Sequence, residues 1–228
     1  MPTCSEASPF RRSPLYSLLR DAGYGTALVG KWHLGASPWF GPLKSGYQQF
    51  FGHMGGAIDH FRHHAGGRHD LWEGQGEAFV DGYSTDLFTD RAIRFIEEQG
   101  DRPYLLSLHF NAVHWPWETR RDRAEAERIE NIVHPDGGSV EIYCEMLREI
   151  DEGIGRVLDA VRRSGRADDT LILFTSDNGG ERFSDMWPLV GKKMDLLEGG
   201  IRVPFIVRWP ARVKPGVSDA LVSQVDLL

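Results

Sequence analysis

The chain has 228 residues, of which 26 are basic and 33 acidic, so its formal net charge is −7. This acidic balance argues against a nucleic-acid-binding protein, which needs a basic face, but a few local cations can still form a pocket for an anion. No apolar stretch approaches the length of a membrane-spanning helix, and the length favours a single domain over residues 1–228.

The first predicted elements are a helix and a short strand. Apolar residues recur at helical spacing between positions 15 and 22, and Gly23 is placed to end the helix. The apolar run 26–29 predicts a strand, which leads into a loop that carries Lys31 and His33. On chemistry alone, these two side chains fit a plain surface loop as well as a functional site.

Residues 36–82 show no clear period and are rich in glycine, aromatic residues and histidine. A zinc or nickel site is one interpretation of the histidines, but no pair of them has a recognised metal-site spacing. A glycine-rich pocket or a surface loop is therefore expected. The histidines concerned are His53, His60, His63, His64 and His69.

The second half of the chain alternates predicted helices and strands. Apolar residues at helical spacing predict helices over 84–99 and 140–161, and two short apolar runs predict strands over 103–110 and 171–175. The charge run 120–128 is typical of a solvated helical face. This order of elements indicates a layered α/β fold.

Polar side chains follow the predicted strands. His114 comes after the strand 103–110, although a structural histidine is the plainer interpretation of that residue alone. The bulky strand 171–175, which we expect to be buried and parallel, runs directly into Asp177 and Asn178, and Lys193 lies one loop later. Ligands of open α/β sheets bind at the carboxyl ends of the strands, so these residues predict a site for a hard cation and an anion.

Four segments resemble the signature segments of the sulfatase family, the arylsulfatase-like members of the alkaline phosphatase superfamily. They are, in the family's own order, residues 23–35, 111–116, 175–180 and 193–204. The resemblance implies an α/β/α sandwich with an alkaline-phosphatase-like fold, whose mostly parallel central sheet here lacks its first strand. It also implies hydrolysis of a sulfate monoester, with a small-molecule or carbohydrate sulfate ester as the partner.

The resemblance implies a metal ion as well. Asp177 and Asn178 would be ligands of calcium, with magnesium the less favoured ion. The residue chemistry agrees, because an amide oxygen beside a carboxylate suits a hard cation. A histidine in place of Asn178 would favour zinc or manganese.

Four further residues take catalytic and substrate-binding roles by the same resemblance. Lys31 and Lys193 would neutralise the sulfate oxygens, His33 would support the nucleophile, and His114 would face the leaving oxygen. The transition state of sulfate transfer accumulates negative charge on these oxygens, so preorganised cations are the main chemical need.

The nucleophile of the family is a formylglycine made from the cysteine or serine of a C-x-P-S/A-R segment. Cys4 begins such a segment, but Glu6 and Ala7 stand where proline and serine belong, and no arginine follows at the required place. The family's pair of metal-binding aspartates has no counterpart before Ser13. We therefore expect a catalytic domain that is truncated at both ends and is inactive alone.

Two alternatives remain open. One is a phosphonate or phosphate ester hydrolase of the same superfamily, because the same cations accept phosphoryl groups. The other is a non-catalytic protein that keeps a sulfate-binding pocket. The sequence leaves the oligomeric state and the choice among aryl, steroid and carbohydrate sulfates undecided.

Overall fold

The computed structural model describes residues 14–37 and 39–227, so Cys4 lies outside the described residues. The chain divides into two compact units: one runs up to Asn111 and takes in residues from Asp219 onward, and the other is Ala112–Ser218. The prediction of a single domain stays a prediction. Within the described part, no helix has the length and apolar character needed to cross a membrane.

The first unit is built on a five-stranded mixed sheet. Its helices are α1 (Leu15–Asp21), α2 (Pro42–Ser45) and α3 (Ser84–Glu98), and its strands are β1 (Gly25–Lys31), β2 (Gln49–His53), β3 (His64–Ala65), β4 (Arg68–His69), β5 (Trp72–Glu73), β6 (Gly76–Glu77) and β7 (Tyr104–His109). The sheet has the order β6-β5-β2-β1-β7, with β3 and β4 forming a separate pair. β1 lies parallel to both β2 and β7, while β5 and β6 extend the sheet in antiparallel fashion. A 3-10 helix, Gln224–Leu227, also belongs to this unit.

Both faces of this sheet are covered by helices. Alternate residues of a strand point to opposite faces, so Leu28 and Val29 of β1 belong to two different clusters. Leu28 packs in the cluster that includes Tyr16 of α1, whereas Val29 packs with Phe51 of β2 and Phe88 of α3. Full burial of each such side chain contributes about 1.5–3 kcal/mol. The first unit therefore has the three α/β/α layers that the sequence predicted.

The strand β2 lies in the segment 36–82, where the prediction of a pocket or surface loop is wrong. Both faces of β2 are buried, so the strand shows no polar–apolar alternation. It also contains Gly52, which depresses strand propensity. A Cβ at Gly52 would lie 1.9 Å from the carbonyl oxygen of Gly30, so only glycine fits this contact between β1 and β2.

The histidines of this segment are mostly interior side chains. His53, His60 and His63 are at most 1% exposed. The Nδ1 atom of His60 lies 2.7 Å from the hydroxyl of Ser84, and burial is the main reason why the pKa of His63 falls to about 4. In the described part of the chain, no group of three or more His, Cys, Asp or Glu side chains is placed to hold a metal ion. The contacts are those of structural histidines.

The second unit contains α4 (Arg123–Arg128), α5 (Val140–Arg163), β8 (Ile172–Thr175), α6 (Glu198–Ile201) and β9 (Phe205–Arg208). The long helix α5 begins after Ser139, whose hydroxyl oxygen accepts a hydrogen bond of 3.2 Å from the Ile142 N–H. It ends just before Gly165, which has a φ of 73°. The helices predicted over 84–99 and 140–161 are thus confirmed to within two residues at each end.

The strand predicted over 171–175 exists as β8, but the prediction that it is buried and parallel is wrong. β8 pairs with β9 in antiparallel register, with Thr175 opposite Phe205, in a two-stranded sheet. Leu173 and Phe174 are 39% and 44% exposed. A short run of bulky apolar residues favours a strand but does not determine the direction of its neighbour or the depth of its burial.

Candidate functional site

The predicted site residues fall in both units. Lys31 and His33 lie in the first unit, at the carboxyl end of β1 and in the loop that follows it. The second unit holds the other four, which are His114, Asp177, Asn178 and Lys193.

The loop after β1 is fixed by main-chain contacts. The carbonyl oxygen of Lys31 lies 3.0 Å from Nδ1 of His109, and the N–H of His33 donates a 3.1 Å hydrogen bond to the carbonyl of Met54. The imidazole of His33 lies over Gly56, where a Cβ would come within 2.7 Å of its Nε2 atom. The lysine is half-buried and the histidine is exposed. Lys31 thus ends β1, and His33 follows in a loop whose main chain is held by hydrogen bonds.

His114 and Lys193, which are 79 residues apart in sequence, meet in the second unit. The Nζ atom of Lys193 lies 2.8 Å from Nε2 of His114, and Nδ1 of the same ring lies 2.9 Å from the carbonyl oxygen of Trp115. Because a carbonyl oxygen only accepts, Nδ1 is assigned as the protonated nitrogen and Nε2 as the acceptor of the lysine proton. The structure thus brings the His114 imidazole and the Lys193 ammonium within hydrogen-bond distance.

The ammonium group of Lys193 is partly desolvated. Its side chain is 21% exposed, and Nζ lies 5.9 Å from the centroid of the Trp115 ring. Glu181 is the nearby carboxylate, with 3.5 Å between its Oε2 atom and Nζ of Lys193. A contact of this length with a side chain that is 39% exposed contributes little stability. The lysine therefore remains suited to binding an anion.

Glu181 is a contact of the site that sequence reasoning missed. The only signal is its position directly after the second glycine of the segment 175–180. A carboxylate at that position is as typical of a solvated loop as of a site.

The loop 177–180 is joined to the lysine segment by main-chain contacts. The N–H of Lys193 donates a 2.8 Å hydrogen bond to the carbonyl of Gly180. A Cβ at Gly179 would lie only 1.8 Å from the carbonyl oxygen of Gly199, so the two segments can approach this closely only because Gly179 has no side chain. The glycines of both motifs thus explain how the loop and the lysine segment are held side by side.

Asp177 and Asn178 have the right donor chemistry for calcium but not enough oxygen atoms. Asp177 is exposed and Asn178 is half-buried, and together they offer at most three oxygens, whereas calcium takes six to eight. Over the described ranges 14–37 and 39–227, no group of three or more His, Cys, Asp or Glu side chains is placed to hold a metal ion. Any calcium ion bound here would need further oxygen ligands.

Comparison with known proteins decides the family. The sequence matches the family described as Sulfatase over residues 3–228. The chain belongs to the sulfatase family. The resemblance carried by its four motifs is thereby confirmed.

Two relatives show how much of a sulfatase the chain spans. It is 31% identical over 242 residues to the N-acetylgalactosamine-6-sulfatase of Canis lupus familiaris, a match that covers 96% of this chain and 44% of the relative. It is 33% identical over 239 residues to arylsulfatase J of Mus musculus, covering 99% of this chain and 39% of the relative. The sulfatase chain thus spans about two fifths of the length of these relatives.

A solved structure confirms the predicted fold class. The crystal structure of Ps i-CgsB in complex with k-i-k-neocarrahexaose is 30% identical to this sulfatase chain, with a TM-score of 0.72. The match covers 86% of this chain and 47% of that protein. The chain therefore has the α/β, alkaline-phosphatase-like fold that its motifs implied.

Proposed function

We propose that this chain is part of a sulfatase that hydrolyses sulfate monoesters of carbohydrates. The observation that carries the proposal is the 2.8 Å contact between Lys193 Nζ and His114 Nε2, next to the loop of Asp177 and Asn178. The relatives favour a sugar substrate: one is named for N-acetylgalactosamine 6-sulfate, and a solved structure at 30% identity holds a neocarrahexaose. An aryl sulfate is the runner-up, because arylsulfatase J is also a relative.

The chemistry we propose for the second unit is charge neutralisation and proton delivery. Lys193 binds an oxygen of the sulfate group and offsets the negative charge that develops during transfer. His114, held by the Trp115 carbonyl with Nε2 toward Lys193, faces the leaving oxygen. A proton held between Nζ and Nε2 is then available to that oxygen as its bond to sulfur breaks.

The remaining roles follow the family resemblance. We propose that Lys31 neutralises a second sulfate oxygen and that His33 supports the nucleophile. Asp177 and Asn178 would supply two ligands to a calcium ion, which when bound adds a fixed positive charge for the sulfate. The segment C-x-P-S/A-R that yields formylglycine occurs nowhere in the 228 residues. We therefore expect this chain to bind a sulfate ester without turning it over.

Isothermal titration calorimetry with N-acetylgalactosamine 6-sulfate, in the presence of calcium, tests the proposal. Lys193→Ala should weaken binding about ten- to a hundredfold, because a hydrogen bond to a charged group is worth about 1.5–3 kcal/mol. Lys214→Ala is the matched control, since it removes an exposed lysine elsewhere in the second unit. Equal affinity of wild type and Lys193→Ala would contradict the proposal.

Two further measurements separate a sulfatase from a phosphate ester hydrolase and test whether this chain is active alone. The 6-phosphate of the same sugar should bind more weakly than the 6-sulfate, and tighter binding of the phosphate would favour a phosphate ester hydrolase. Release of inorganic sulfate by the 228-residue chain alone would show that the nucleophile lies within it, contrary to the proposal.

A further inference from the structure

The carboxylate of Asp70, in the first unit, accepts hydrogen bonds from three N–H groups. Its Oδ1 atom accepts one of 3.0 Å from the main-chain N–H of Met54 and one of 2.8 Å from the indole N–H of Trp72. Its Oδ2 atom accepts a third, of 2.8 Å, from the N–H of Gly55. Hydrogen bonds to a charged acceptor are the stronger kind, and this side chain is half-buried. The carboxylate therefore fixes the turn 54–56 that follows β2.

Asp70 is itself held in place by the surrounding structure. Its N–H donates a 2.8 Å hydrogen bond to the carbonyl of His63. Trp72, two residues further on, pairs with Gly52 of β2, and its side chain packs against the buried cluster that includes Met54. The carboxylate is thus positioned by the fold before any ligand binds.

The turn 54–56 supports His33 on its other side. The N–H of His33 donates a 3.1 Å hydrogen bond to the carbonyl of Met54, and its imidazole lies over Gly56. His33 has a φ of 55°, a left-handed conformation that a residue other than glycine keeps only where its surroundings impose it. Met54 therefore connects the two side chains, because its N–H is bound by Asp70 and its carbonyl is bound by His33.

Two consecutive glycines allow both contacts with the turn. A Cβ at Gly55 would lie 2.9 Å from Oδ2 of Asp70. A Cβ at Gly56 would lie 2.7 Å from both Cε1 and Nε2 of His33. The carboxylate and the imidazole can each approach the turn this closely because neither glycine has a side chain.

We propose that Asp70 is a positioning residue for His33. Its carboxylate fixes the turn 54–56, and the turn holds the main chain of His33 in its left-handed conformation and supports the imidazole ring from below. Because His33 supports the nucleophile only under the proposed function, the catalytic meaning of this role rests on that function. The contacts that position the ring do not depend on it.

Nuclear magnetic resonance of the ¹⁵N-labelled 228-residue chain tests the role of Asp70. Asp70→Asn keeps the shape of the side chain but has one acceptor oxygen, which serves at most two of the three N–H donors. Hydrogen exchange of the Gly55 amide should become about ten- to a hundredfold faster, as expected for the loss of one hydrogen bond to a charged group. The main-chain and imidazole signals of His33 should shift. Asp21→Asn, which changes an exposed carboxylate of the same unit that bonds to Arg20, should alter neither.

A second variant acts on the imidazole directly. Gly56→Ala places a methyl group against the His33 ring and leaves the three hydrogen bonds of Asp70 in place. It should shift the imidazole signals of His33 while the Gly55 amide exchanges at the wild-type rate. If Asp70→Asn does not fold, Gly55→Ala replaces it, because the added Cβ displaces the Asp70 carboxylate; the His33 signals should then shift as well.

The position of the His33 signals in the folded protein separates positioning from a merely structural role. Faster exchange at Gly55 in Asp70→Asn, with the His33 signals at their wild-type positions, would overturn the proposal. So would an equal acceleration of exchange at the amides of β1 and β7 with no shift at His33. The proposed function fails on a different result, a Lys193→Ala variant that binds the sulfated sugar as tightly as wild type.

Discussion

The buried histidine of the first unit gives a prediction about stability and pH. His63 is 1% exposed, and its pKa falls from 6.5 to about 4, chiefly because burial disfavours the charged ring. His69 lowers this pKa further. The carboxylates of Asp59 and Asp81 and a hydrogen bond to the main chain of Gly82 raise it, but burial outweighs these three contributions. Between pH 6.5 and about 4 the unfolded chain binds a proton at this histidine that the folded chain does not. The free energy of unfolding should therefore decrease as the pH is lowered from 6.5 to about 4. Below pH 4 this histidine should cause no further loss of stability.

The size of the effect follows from the shift in pKa. Each pKa unit is worth about 1.4 kcal/mol, so a fall from 6.5 to about 4 predicts a loss of about 3 kcal/mol. His63 has a φ of 55°, which asparagine adopts readily, so His63→Asn removes the ionisable ring with little backbone strain. The variant should lose less stability than wild type as the pH falls from 7.5 to 4.

Hydrogen–deuterium exchange across a urea gradient measures the free energy of unfolding of the first unit separately from that of the second. Peptides from β1 and β2 report on the unfolding of the first unit at pH 7.5, 6 and 4.5. His64→Asn, which replaces the neighbouring half-buried histidine, controls for the loss of any histidine in this segment. If His63→Asn keeps the wild-type pH dependence, or if both variants flatten it equally, burial of His63 is not the cause of that dependence.

Three further predictions concern the second unit and its proposed calcium ligands. Gly179→Ala should destabilise this unit by about 1–3 kcal/mol in urea unfolding, because the added Cβ would lie 1.8 Å from a main-chain carbonyl; Gly216→Ala, where a Cβ meets nothing within 4 Å, should not. Ser139→Ala should cost about 1 kcal/mol by removing the N-terminal cap of α5, and Ser139→Asp should restore most of it. Asp177→Ala should abolish the dependence of sulfate binding on calcium in calorimetry, whereas His69→Ala should leave it intact; equal losses would count against the metal assignment.

The elements with a regular apolar period were predictable from the sequence. The faces of α3 and α5 recur every three to four residues, and the runs that became β1 and β7 are bounded by glycine or proline. β2 was missed because it is short, contains Gly52 and is buried on both faces, which leaves no alternation. β8 was found as a strand, but its antiparallel pairing with β9 depends on a long-range contact that no local pattern encodes.

The residues of the candidate site could be predicted from sequence motifs, but the distances between their side chains could not. The motif residues His114 and Lys193 were named from the sequence, yet their 2.8 Å contact spans 79 residues and is visible only in the folded chain. Glu181 had no distinguishing pattern, and its importance comes from its distance to the lysine.

Nuclear magnetic resonance of the site's own nitrogens tests the central claim most directly. Inorganic sulfate is titrated into ¹⁵N-labelled protein while the imidazole signals of His114 and the Nζ signal of Lys193 are followed. Both residues should shift together with one dissociation constant, and the His114 shift should be lost in Lys193→Ala. Saturable binding of sulfate that leaves both sets of signals unmoved would contradict that claim.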